Sequence, residues 1–118
     1  MGQFTVGVTF YPPNGGASRT LKALVDTGAA YSVAPRPFLD SLGCQPLRSQ
    51  RVIFADGRAA GWWLTQVDVD CEGRRTTTTV LMAPPGSPVL LGAITLEGLG
   101  LGIDPVNLRL VPVDLFVV

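Results

Sequence analysis

The stretch ALVDTGAAYS, Ala23 to Ser32, runs through a short apolar segment into an acid and then into threonine, glycine and small residues. Leu21, Ala23 and Val25 fall on one face of a strand, so Asp26 sits at a strand-to-loop junction. A carboxylate taken out of water without a partner is costly. An acid at the end of an inward-facing strand therefore has a specific task, or else it is a turn residue that caps the strand end.

The chain of 118 residues has the length of one domain, residues 1–118, and nearly half of it is apolar. Nine basic and nine acidic residues cancel, which leaves no electrostatic footprint for nucleic acid or an anionic membrane. No apolar run approaches the roughly 18 residues of a bilayer span. The start MGQFTVGVTF lacks the basic and apolar regions of a secretory signal. The expected setting is cytoplasmic, with neither nucleic acid nor membrane as partner.

Histidine is absent. Ser-His-Asp and Cys-His hydrolase machinery is thereby excluded, because each needs an imidazole to take the nucleophile's proton. Cys44 and Cys71 lie far apart and cannot form a four-ligand zinc site without histidine. They read as two buried free thiols, and neither a metal nor a cofactor is expected. An enzyme built from this composition moves protons with carboxylates.

FTVGVTF alternates Phe4, Val6, Val8 and Phe10 with small or polar residues and reads as a half-buried strand, broken by the turn residues of YPPNGGAS. RTLKALV is the second strand. PRPFLDSLG predicts a short helix opened by proline and closed by Gly43. Two hairpins follow, the first turning at Asp56-Gly57 and the second near Glu72-Gly73. TTTTV reads as a strand with a solvated face. VLLG is a fully apolar strand, AITLEGLG gives one or two helical turns, and GLGLG reads as tight packing within a strand. A last hairpin is expected to turn near Asp104-Pro105.

The ordered set of an apolar strand ending in Asp-Thr-Gly-Ala, a glycine-tipped hairpin, and LLG before a short helix resembles the retroviral-type (retropepsin-like) aspartic proteases over nearly the whole chain. That resemblance implies an all-β fold: a closed barrel with a flap hairpin and one or two short helices, acting as a symmetric homodimer. It implies an aspartic endopeptidase acting on polypeptides, in which Asp26 of two protomers share one proton and activate a water. Thr27 would brace the two loops across the dimer, and Gly28 would leave room for substrate backbone; these two complete the catalytic set with Asp26. Ala29, Ala30, Phe54, Ala55, Asp56, Gly57, Arg58 and Trp62 would contact substrate, with Ala29 and Ser32 also supporting the loop. The segment VIFADGRAAGWW would be the flap, with Trp62 or Trp63 near its base.

Retroviral members commonly carry an acid two residues after the Asp-Thr-Gly glycine and an arginine just after the later glycine, forming an ion pair. Here these positions are Ala30 and Ala93. Both partners are missing together, so no charge is stranded. The segments QFTVGV and DLFVV stand where retroviral enzymes place their dimer strands. Two other readings exist. One is a non-catalytic dimerisation or peptide-binding module on the same fold. The other, an actin-like phosphate loop, needs a far longer chain.

Overall fold

The computed structural model describes residues 3–117; Met1, Gly2 and Val118, the ends of the expected 1–118 domain, lie outside the described residues. The chain is mostly β. Strand β1 (Thr5–Tyr11) turns Val8 and Phe10 into the core, as their alternation predicts. It pairs antiparallel with β2 (Arg19–Val25), placing Val8 opposite Leu21. After the Asp-Thr-Gly loop come β3 (Ser32–Pro35) and helix α1 (Arg36–Leu42). Gly43 ends α1 at φ 88, a left-handed conformation in which glycine carries no steric penalty. The helix buries Leu39 and Leu42 and sets Phe38 edge-on to Phe10 at 5.1 Å.

Strands β4 (Arg48–Ile53) and β5 (Ala59–Cys71) form the first expected hairpin. The Gly57 N–H donates to the Phe54 carbonyl at 2.9 Å, and Gly57 takes φ 88. Strand β6 (Arg74–Ala83) returns along β5 through Glu72 and Gly73, both at positive φ (53 and 75), as a two-residue primed turn requires. Then come β7 (Leu90–Leu91), helix α2 (Ala93–Leu99), and a two-stranded sheet of β8 (Leu101–Asp104) and β9 (Arg109–Pro112).

The large sheet runs β1-β2-β7-β3-β6-β5-β4, and β1 also pairs with β5, so six strands return on themselves while β4 hangs outside the ring. The expected closed barrel is thus closed unevenly. β5 and β6 share a long ladder, whereas β3 meets β7 only at Val33 and Leu90, because β7 has two residues. Inside lie Val8, Val69, Val80, Leu39 and Leu91, each nearly or fully inaccessible. Burial of this extent stabilises by roughly 1.5–3 kcal/mol per large aliphatic side chain.

Two local expectations need correction. The threonine run is not a single solvated face: Thr77 is exposed, but Thr78 points inward and is buried. GLGLG is not one strand, because Gly98 belongs to α2, Gly100 ends it at φ 69, and only Leu101 and Gly102 are in β8. Of the segments expected to form dimer strands, Thr5–Val8 pair with β2 alone, since β1 meets β5 only at Thr9–Tyr11, and residues 113–117 form no strand within the chain and leave Leu115, Phe116 and Val117 exposed.

Candidate active site

β2 delivers Asp26 to the mouth of a cleft rather than into the core. The Asp26 N–H donates to the Leu91 carbonyl at 3.0 Å, which keeps the loop in register with β7. Its carboxylate Oδ1 accepts the Gly28 N–H at 2.9 Å, and its own carbonyl accepts the Ala29 N–H at 3.2 Å. The side chain is half-buried. A β-carbon on Gly28 would lie 3.1 Å from Asp26 Oδ1, so glycine leaves the carboxylate its space. The acid thus ends an inward-facing strand but opens onto solvent-accessible space.

The rest of the loop rests on α2. The Ala29 and Ala30 carbonyls accept the N–H groups of Ala93 and Ile94 at 2.9 and 3.0 Å. Those donors begin the helix and have no partner within it, and α2 has no side-chain cap. The alanines at positions 30 and 93 therefore stand where backbone bonds, without an ion pair, join loop to helix.

The cleft, of about 800 Å³, brings together Asp26, Gly28, Ala29 and Ala30 with Phe54, Ala55 and Trp62 of the β4–β5 hairpin. Such a volume lies in the range of binding sites for sizeable ligands. Cross-strand pairing of Trp62 with Gln50 puts both side chains on the cleft face, and Trp62 meets Phe54 edge-to-face at 5.6 Å. Trp63 points the other way and is 44% exposed. Asp26 and Arg51 are the only charged residues among those lining the space.

Four expected site residues do not line this cleft. Asp56, Gly57 and Arg58 are exposed at the hairpin tip and do not line the cleft. Arg58 folds back on Asp56 at 2.6 Å and lies over the Phe54 ring at 5.6 Å. The Asp56 carboxyl is held below its ordinary value, first by the Arg58 backbone N–H and then by the guanidinium. Thr27 is exposed and lines a separate groove of about 370 Å³ with Ala93, Leu96, Leu101 and Ile103. Tyr31, Gln50, Ser87 and Pro88 also line the cleft. Tyr31 lies in the loop ahead of β3, where strand parity does not carry over from Asp26, Gln50 is fixed only by the observed hairpin register, and nothing local marks Ser87 or Pro88.

Among the described residues no group of three or more His, Cys, Asp or Glu is placed to hold a metal ion, and no helix is long and apolar enough to cross a membrane.

A strand-borne Asp-Thr-Gly loop facing a cleft under a long hairpin is the arrangement of retropepsin-like aspartic proteases. Residues 6–95 match the sequence model of the aspartyl protease family, and the chain belongs to that family. Its fold is similar to the solution structure of simian foamy virus (mac) protease, with a TM-score of 0.57 at 19% identity, over 80% of this chain and 92% of that one. A search of curated proteins finds no match.

Proposed function

We propose that the chain is an aspartic endopeptidase whose active unit is a symmetric homodimer, with Asp26 of each protomer meeting on the two-fold axis. The observation that carries this reading is the Asp26 carboxylate, fixed by the Gly28 N–H at 2.9 Å on the wall of a cleft of about 800 Å³. One chain supplies one such acid, and the chemistry needs two groups in opposite protonation states.

The ionised carboxylate takes a proton from a water held between the pair, and the resulting oxygen adds to the peptide carbonyl. The neutral carboxylic acid gives its proton to the carbonyl oxygen, forming a gem-diol. Collapse of the gem-diol returns a proton to the acid pair, delivers one to the departing nitrogen, and breaks the C–N bond. Thr27, exposed outside the cleft and adjacent to the acid, would face the other protomer; its exposure supports that role.

The β4–β5 hairpin acts as the flap. β4 is the last strand in the sheet order, so its free edge can take an extended substrate as an added strand. Phe54, Trp62, Val52 and Leu81 favour apolar side chains beside the cut, because a buried unpaired charge there would be costly.

The test is incubation with a random peptide library, with cuts read by mass spectrometry, for wild type and Asp26→Asn. Wild type should cut, and the variant should lose at least about a thousandfold in kcat/KM while remaining folded, since an amide cannot act as base. Specific activity should fall on dilution and recover with second-order kinetics. Near-wild-type turnover in Asp26→Asn, or undiminished cleavage by a strict monomer, would overturn the proposal.

A further inference from the structure

We propose that three buried hydroxyls, on Ser32, Thr95 and Thr78, form a positioning chain that sets the place of the Asp26 loop; this rests on the protease reading above. Ser32 Oγ lies 2.6 Å from Thr95 Oγ1, which lies 2.7 Å from Thr78 Oγ1. Ser32 Oγ also accepts the Gly92 N–H at 3.0 Å. The three residues come from three elements, the start of β3, helix α2 and strand β6, and none is more than 6% exposed.

Their surroundings argue against a role in simple packing. The small space beside them is otherwise lined by Val8, Phe10, Val69, Val80 and Leu91. A hydroxyl in such a place costs free energy unless it is bonded, and an apolar residue of the same shape would fill the space without that cost. What a bonded chain adds is a single permitted arrangement, because a fully satisfied buried network holds its members in one geometry. Thr95 Oγ1 reaches both neighbours only when α2 keeps one rotation and one height against β3 and β6.

That placement is passed directly to the site. Thr95 lies in the first turn of α2, directly after Gly92, Ala93 and Ile94. Their amides hold Ser32 Oγ, the Ala29 carbonyl and the Ala30 carbonyl. Those acceptors follow Asp26 through the loop to the first residue of β3. Two carboxylates that must meet across a dimer axis tolerate little error, since a displacement near 1 Å can cost about a hundredfold in rate. The groups are neutral hydroxyls, so this anchor does not titrate over the working pH range.

Thr95→Val keeps the side-chain shape and removes both hydroxyl bonds; Thr95→Ser keeps the hydroxyl and removes the methyl. In Thr95→Val, kcat per folded active site should fall about tenfold while KM stays within about a factor of two. Amide hydrogen exchange at Gly92, Ala93 and Ile94 should quicken, with β1 unchanged. Thr95→Ser should stay near wild type in both measurements. Should Thr95→Val fail to fold, Thr78→Val, one link further from the loop, should move both readouts in the same direction by less.

Wild-type kcat and exchange in Thr95→Val would overturn the proposal, as would equal impairment of the valine and serine variants, which would assign the effect to packing. A wild-type protein that cuts no peptide would defeat the protease reading. The exchange measurement then decides the anchor alone: quickened exchange in Thr95→Val supports it, and unchanged exchange overturns it.

Discussion

A β-carbon at Gly92 would lie 2.6 Å from both the carbonyl carbon and the carbonyl oxygen of Tyr31, and 2.9 Å from the carbonyl oxygen of Ala29. Gly92 has φ −92, which any residue can adopt, so glycine is required here by space and not by conformation. The atoms in the way are backbone, and no side-chain rotation relieves them. The Asp-Thr-Gly loop can sit on the start of α2 only because position 92 has no side chain.

Gly92→Ala should therefore destabilise by about 1–3 kcal/mol, the usual range for an overfilled site. Urea denaturation should show a lower midpoint at unchanged slope. Cleavage should fall further than the folded fraction does, because the strain is relieved by moving the loop that carries Asp26. A variant with wild-type stability and turnover would show that the loop shifts without consequence.

The two tryptophans should separate cleanly. Trp62 faces the cleft beside Phe54, and Trp63 faces outward. Trp62→Ala removes an aromatic wall and should raise KM about tenfold or more, equivalent to roughly 1.4 kcal/mol of lost binding. Trp63→Ala should leave KM within about a factor of two. Steady-state kinetics on one cleaved peptide suffices for the comparison.

Acid should weaken the β8–β9 turn in a defined window. The Asp104 carboxyl is lowered from 3.8 to about 2, first by the Asn107 side-chain amide, then by the Asn107 backbone N–H, with Arg109 and the Val106 N–H adding to the effect. Because the folded value lies below the unfolded one, the contribution to stability is complete above 3.8 and is lost as pH falls through about 2. Asp56 and Asp68 are shifted in the same direction. Asp104→Ala should thus be less stable than wild type near neutrality, and the gap should close on approaching about pH 2. Denaturant midpoints of both proteins across that range give the answer.

The cysteines should be inert in the native state. Burial, followed by the nearby Glu72 and Asp70 charges, pushes the Cys71 thiol up to about 11. Cys44 is raised by burial and by Asp40. Both are buried free thiols, as the sequence predicts. A thiol reagent should leave cleavage intact and should label the protein only after denaturant is added, since the thiolate is the reacting form. Rapid native labelling with loss of activity would contradict this.

The sequence by itself determined many of the elements and some of their ends, though not β3 or the split of GLGLG between α2 and β8. The alternation of Val8 with Phe10 and of Ala23 with Val25, the Glu72-Gly73 turn, and Gly43 after α1 are local preferences, set by strand period and by backbone sterics within a few residues. The position of Asp26 at the end of β2 follows from the same period. What only the tertiary structure decided are the neighbours. Alternation assigns two faces but does not say which partner each meets, so Trp62 and Trp63 became distinguishable only once Trp62 was paired with Gln50. Thr78, expected on a solvated face, lies against Thr95, itself in contact with Ser32 from 63 residues away. Two-residue β7 enters between β2 and β3 through pairings made far along the chain. Such contacts form only when the whole sheet closes, because each depends on the free energy of packing distant segments together and not on any residue's own conformational preference.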